Sequence, residues 1–204
     1  SAVFGNAGQD CCARSRILVE SSQVDNFLAA MEEAVKAIRV GDPLDASTEM
    51  GPLISASHRE KVGSFVTGEE MVAFRGSAPD GPGYWFPPTV LAPMSNSDRA
   101  SREEIFGPVA CVIPFDGEEE AIRIANDTEY GLSGSIWTRD GGRALRVARA
   151  IDTGVLSINS NSSVRVSTPF GGFKQSGIGR ELGPDALDHY TEVKNVYYST
   201  EVDD

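Results

Sequence analysis

The sequence predicts an α/β fold: a mostly parallel sheet flanked by helices, with an extra strand at the C-terminus. Runs rich in β-branched residues alternate with segments of helical apolar spacing through most of the chain. At 204 residues the chain suits one domain with a sizeable core, and 40% hydrophobic with 24% charged residues is an ordinary globular balance. No internal repeat or low-complexity stretch interrupts the alternation.

Taken in order, "RILVE" (16–20) reads as a short buried strand. Apolar positions 24, 27, 28, 31, 34, 35 and 38 then recur with helical spacing. Ser21 or Ser22 can cap that helix, and Gly41 followed by Pro43 ends it. "GSAPDGPGYWFPP" (76–88), with four prolines and three glycines, reads as an ordered surface loop. "VACVIPF" (109–115) reads as an interior strand, and "EEEAIRIAND" (118–127) as a helix with acidic residues in its first turn, where the helix dipole favours them. "GSIWT" (134–138) is strand-like, "RALRVARAI" (143–151) helical and "VLSIN" (155–159) strand-like again. A helix through "PDALDHY" precedes "KNVYYST" (194–200), a β-forming tail of the kind that pairs with another chain or closes its own sheet.

Charge narrows the partners. A formal net charge of −12, from 30 acidic and 18 basic residues, repels nucleic acid phosphates and anionic membranes. Arg143, Arg146 and Arg149 share one helix face and read as a solvated surface. No apolar run reaches the ~18 residues of a membrane span, and no secretory leader is visible. Cys11, Cys12 and Cys111 are too few and too unevenly placed for a disulfide framework, so free thiols and a cytoplasmic setting are expected. With no CxxC or HxxxH spacing, no metal site is expected.

The chemistry lies near the start, in "FGNAGQDCCARSR" (4–16). Gly5 and Gly8 allow a tight loop, and "CCARSR" can begin a helix whose amides stabilise a Cys11 thiolate or an oxyanion formed beside it. Asp10 opposes this, because an adjacent negative charge raises a thiol pKa. Read alone, the segment is better explained by a buried structural cysteine.

Phe4, Gly8-Gln9 and Cys11 together resemble the active-site signature of the aldehyde dehydrogenases. "EEIFGPV" (103–109), "NDTEYGLSGSIWT" (126–138), "PFGGFKQSGIGRELG" (169–183) and "YTEVKNVYY" (190–198) are similar to that family's motifs, in the family's order and spacing. The resemblance covers essentially the whole chain. It implies a catalytic domain at 1–192 and a C-terminal oligomerisation strand and tail at 193–204.

The resemblance implies that Cys11 adds to an aldehyde carbonyl, that the thiohemiacetal is oxidised with NAD or NADP, and that the resulting thioester is hydrolysed to an acid. It places Glu104 on the nicotinamide ribose hydroxyls and Phe106 against the nicotinamide ring, and gives Glu181 a supporting role in proton transfer, with a structural ion pair as the alternative. Cys12 is read as a bystander facing the core, Glu103 as structural, and Lys174 has no chemical role. The substrate mouth is expected at "SNSSVRVST" (160–168), with Asn161, Ser162, Ser163 and Arg165, and at Phe170 of "PFGG". That loop has no aromatic residue, which favours a small or polar aldehyde, with Arg165 able to meet an acidic group. Glycines 171, 172, 177 and 179 are expected to allow close backbone packing near the nucleophile. "GIGRELG" (177–183) has the wrong spacing for a dinucleotide fingerprint.

The resemblance also implies absent parts. The dinucleotide-binding domain, a general-base glutamate and an oxyanion-hole asparagine are expected upstream of Cys11, in a chain whose first residue is Ser. The fragment is therefore expected to be inactive or weak, and the full-length form a homodimer or homotetramer. Two alternatives stand beside this: a non-catalytic truncated paralogue acting as an oligomerisation or modulatory module, and a cofactor-free cysteine hydrolase. The hydrolase lacks a histidine near Cys11 in sequence.

Overall fold

A computed structural model describes residues 2–162 and 164–200. Its centre is a four-stranded sheet in the order β1 (Arg16–Glu20), β4 (Val109–Phe115), β3 (Thr89–Leu91), β2 (Val72–Arg75). β4 runs parallel to both β1 and β3, while β2 joins β3 antiparallel. β4 is interior, as its β-branched sequence predicts: Val109 to Ile113 are all buried. β1 is instead an edge strand in this chain, and Val19 is its one fully buried residue.

α1 (Val24–Lys36) lays Val24, Phe27, Leu28, Met31 and Val35 against the core, matching the apolar spacing. Neither serine caps it. Residues Ser21–Gln23 form a 3-10 turn, Gln23 occupies the cap, and the Ser21 hydroxyl donates to the Phe115 carbonyl. α2 (Ala56–Gly63), β2, β3 and the short α3 (Arg99–Arg102) lie in stretches with no clear sequence period. α2 is polar along most of its length and is held by a cap: the Ser55 hydroxyl accepts from the His58 amide at 3.1 Å. Ser55→Ala should lower stability by about 1 kcal/mol, read as a denaturation midpoint.

α4 (Glu118–Asn126) carries Glu118, Glu119 and Glu120 in its first turn. β6 (Ser133–Ile136), α5 (Gly141–Ala150) and β7 (Val155–Ile158) form a parallel β–α–β unit. This pair is separate from the four-stranded sheet. The arginines of α5 are not merely solvated: Arg143 and Arg146 both reach Glu118, at 3.0 and 2.9 Å, and pin α5 to α4. The short strands β5 (Tyr130–Gly131) and β8 (Phe173–Lys174) pair antiparallel. Lys174 Nζ donates to the Asn126 carbonyl at the end of α4, a structural contact.

The C-terminal end departs from expectation. Pro184–His189 is a 3-10 segment, and residues 194–200 form no strand. Val193, Val196, Tyr197 and Tyr198 are at least three-quarters exposed. A strand needs a neighbouring strand for its amides and carbonyls, and no described strand pairs with residues 194–200. Among the described residues, no helix is long and apolar enough to cross a membrane.

Candidate active site

Cys11 sits in a turn, not at the head of a helix; the residues after it lead straight into β1. The loop before it bends through left-handed backbone at Asn6, Ala7 and Gly8, with φ of 51°, 54° and 69°. Phe4, Ala7 and Cys12 are buried, whereas Cys11 is exposed. The loop therefore hangs the nucleophile candidate outward from a buried root. Gly8 is pressed on the loop 106–108: a Cβ there would lie 2.0 Å from the Gly107 carbonyl oxygen. That contact joins "GQDCC" to "IFGPV", about a hundred residues away in sequence.

The thiol is not activated by this chain alone. Partial burial of the sulfur raises the Cys11 pKa most, followed by the adjoining Cys12 thiol and the Asp10 carboxylate. Cys11 heads no helical turn, and its own backbone amide opposes this only weakly. A raised pKa means less thiolate at neutral pH, so the alkylation rate at Cys11 should climb with pH to a midpoint above the ordinary thiol value. Asp10→Asn should move that midpoint down in an iodoacetamide rate–pH profile, because one of the raising charges is gone. Cys111 is a different case: its thiol, fully enclosed in β4, is pushed up to about 12 by burial. The Asp10 carboxylate, Cys11 and Cys12 sulfurs lie within 4.8 Å of one another, close enough to share a cation. Asp10 already accepts from the Cys12 amide at 2.9 Å.

Glu104 and Phe106 lie on the same loop as Gly107, beside the nucleophile loop. Both are exposed, and the Glu104 carboxylate has no ion-pair or hydrogen-bond partner among the described residues. A carboxylate in that state can take a diol, and an open aromatic face beside it can take a planar ring. Glu103 instead pairs with Arg99 at 3.1 Å, while the Arg99 guanidinium lies 4.0 Å over the Phe65 ring.

Phe170 and Glu181 are brought together through their backbones, exchanging N–H···O bonds of 2.7 and 2.9 Å. No described hydrogen bond ties the Glu181 carboxylate to Cys11. Gly171 is packed tightly as expected, but against Gly154 and Gly179: a Cβ on Gly154 would lie 1.8 Å from the Gly171 carbonyl oxygen. Gly177 and Gly179 meet open space and serve turns at positive φ instead.

Asn161, Ser162 and Arg165 are exposed, and Arg165 donates to the Ser162 hydroxyl at 2.8 Å. Ser163 lies outside the described residues. This loop is linked to Arg14, three residues after Cys11, through a polar relay. Arg14 Nε donates to Ser135 Oγ at 3.1 Å, Ser135 lies 3.0 Å from Ser157 Oγ, and Ser157 reaches the Ser160 carbonyl. Sequence reading missed this relay, as it missed the contact made by Gln9, whose side-chain oxygen accepts from the Ile54 amide at 2.9 Å. It also missed His58, whose Nε2 lies 2.7 Å from the Phe106 carbonyl oxygen. Nothing in the spacing of residues 9, 14, 54 and 58 signals these contacts.

The α/β domain thus presents an exposed thiol on a loop packed against the loop that carries an exposed carboxylate and an exposed aromatic ring. Comparison with known proteins identifies the family. The model of the "Aldehyde dehydrogenase family" matches residues 1–196. The betaine aldehyde dehydrogenase of Bacillus subtilis is 45% identical over 208 residues, spanning 98% of this chain and 42% of that protein. The geranial dehydrogenase of Castellaniella defragrans is 43% identical over 196 residues, 94% of this chain and 41% of that protein. A crystal structure of a Mycobacterium tuberculosis aldehyde dehydrogenase complexed with NAD+ superposes with a TM-score of 0.88 at 42% identity, covering 94% of this chain and 41% of that one. The chain belongs to the aldehyde dehydrogenase family, and it spans about two-fifths of the length of these relatives.

Proposed function

We propose that this chain is the catalytic portion of an NAD(P)-dependent aldehyde dehydrogenase, with residues 1–192 as the catalytic domain and 193–204 as an oligomerisation strand and tail. The observation that carries the reading is the exposed Cys11 held on a buried loop root against the Glu104–Phe106 loop. Cys11 adds its sulfur to the aldehyde carbon, and the carbonyl oxygen takes up negative charge beside the Cys11 backbone amide. Glu104 would accept hydrogen bonds from the ribose hydroxyls of a nicotinamide cofactor, and Phe106 would lie against its ring. The chemistry that bound NAD or NADP would supply there is that of a hydride acceptor. Water then releases the acid from the Cys11 thioester, with Glu181 in a supporting role in proton transfer. In this chain alone that hydrolysis is slow, since no carboxylate is hydrogen-bonded to Cys11 among the described residues.

Asn161, Ser162, Arg165 and Phe170 form the substrate mouth. Arg165 has no acidic partner among the described residues, and the described loop offers no aromatic cage. Betaine aldehyde, a quaternary ammonium compound, is better served by aromatic faces than by a guanidinium. The reading is therefore a small or polar aldehyde whose acidic group meets Arg165. The setting is cytoplasmic, consistent with three unpaired thiols. The working unit is a homodimer or homotetramer in which residues 194–200 find their missing strand partner. A second reading, a modulatory module without catalysis, draws on the exposed tail and the raised Cys11 pKa.

The test is a hybrid carrying the upstream segment of the Bacillus subtilis relative joined to this chain, supplied with NAD or NADP and a panel of aldehydes. Reduced cofactor should form, most readily with small or acidic aldehydes, and should vanish in Cys11→Ala. A folded, cofactor-binding hybrid that forms none, or forms it equally in Cys11→Ala, contradicts the reading. Turnover that rises with apolar chain length contradicts the substrate class.

A further inference from the structure

Phe106 holds an unusual backbone. Its φ of 56° places a bulky residue in the left-handed region, which costs about 1–2 kcal/mol and needs support from its surroundings. The flanking Gly107 is wedged from both sides. A Cβ on Gly107 would lie 2.5 Å from Val62 Cγ2 of α2, and a Cβ on Gly8 would strike the Gly107 carbonyl. Packing fixes Gly107, the next residue, and the Phe106 carbonyl between them meets a polar contact.

His58 supplies that contact. Its Nε2 is 2.7 Å from the Phe106 carbonyl oxygen, so Nε2 carries the proton and donates. Its ring also meets the Phe106 ring edge-on, with centroids 6.3 Å apart and planes inclined at 68°. His58 is itself fixed by the Ser55 cap on its amide. The residue just before that cap, Ile54, donates its amide to the Gln9 side chain of the nucleophile loop. The stretch 54–58 thus grips both halves of the site, one through Gln9 and the other through Phe106.

We infer that His58 is a positioning residue, which holds the Phe106 peptide in its left-handed turn and so presents the ring at a fixed height relative to Cys11. The inference rests on the reading of Phe106 as the surface that meets the nicotinamide ring. Donation from Nε2 persists whether the imidazole is neutral or charged, so the role needs no proton transfer.

Two variants isolate the hydrogen bond. His58→Leu keeps bulk and removes the donor; His58→Gln keeps an N–H donor on a flexible stem. Both lose the imidazole, so the difference between them reports the donor alone. His58→Ala is the second donor-less variant should His58→Leu not fold. In the isotope-labelled chain, the Phe106 carbonyl carbon and the Gly107 amide should shift in His58→Leu and return toward wild type in His58→Gln. Saturation transfer from nicotinamide mononucleotide to the Phe106 ring should fall about three- to tenfold in His58→Leu, the loss expected for one hydrogen bond, and recover in His58→Gln. The inference is overturned if both variants shift the Phe106–Gly107 signals alike, or if His58→Leu leaves them in place. A wild-type chain with the expected shift pattern but no transfer from the nicotinamide would instead overturn the cofactor reading and leave the placement by His58 standing.

Discussion

Cys11→Ala should remove essentially all fast thiol alkylation from the native chain, a loss of at least ~10²-fold in initial rate at pH 8, since buried thiols react chiefly after local opening. The expectation follows from exposure. Cys11 is open to solvent, Cys12 is 8% exposed, and Cys111 is fully enclosed within β4. Proton affinity adds to the contrast, because a Cys111 thiol pushed up to about 12 is almost wholly protonated at pH 8. Iodoacetamide labelling followed by peptide mass analysis checks this directly. Wild type should carry one alkyl group, on the peptide containing Cys11, and denaturant should expose the other two thiols. Fast labelling that survives in Cys11→Ala would mean that Cys12 faces outward and that the loop is built otherwise.

Gly8→Ala should be the most damaging single-methyl change near the site, costing about 2–5 kcal/mol of stability. Two independent penalties combine. The residue has φ of 69°, where a side chain strains the backbone, and the new methyl would lie 2.0 Å from the Gly107 carbonyl oxygen, which is backbone and cannot rotate away. Relief requires separating the nucleophile loop from residues 106–108, so the damage should be functional as well as global. In a urea titration the midpoint should fall sharply, and Cys11 alkylation in the folded fraction should change rate as the loop shifts. Gly5→Ala is the matched control, since a Cβ there meets nothing within 4 Å.

The sequence carried the parts of the fold that rest on periodicity and composition. α1 announced itself through apolar residues every three or four positions, β4 through a run of β-branched residues, and α4 through three glutamates at its start. α2 was hidden because it is polar and held by a cap and by contacts from elsewhere, and β2 and β3 are short strands that depend on β4 for their edges. The strand expected at 194–200 is legible as a propensity, yet propensity cannot supply a partner. The helix expected at "CCARSR" fails for a related reason: those residues are drawn into the lead to β1, whose pairing with β4 outweighs local preference.

At the site, residue types were legible and geometry was not. The spacing of glycines around Cys11 fits a tight loop, and the loop is there, with Gly8 at its contact point. Its partner, the Gly107 carbonyl, could be named only once the chain was folded. The same holds for the contacts of His58 with Phe106, Gln9 with Ile54 and Arg14 with Ser135, which join residues 45 to 121 positions apart. Long-range polar contacts leave no period in a sequence.

The central claim, that Cys11 is the residue that bonds to aldehyde, is tested most directly by carbon NMR of the folded chain with acetaldehyde labelled at the carbonyl carbon. A new tetrahedral carbon signal should appear, distinct from the free hydrate, correlated with the Cys11 β-protons, forming faster as pH rises and absent from Cys11→Ala. A signal that persists in Cys11→Ala, or a folded wild-type chain that gives none while its Cys11 still alkylates, would contradict it.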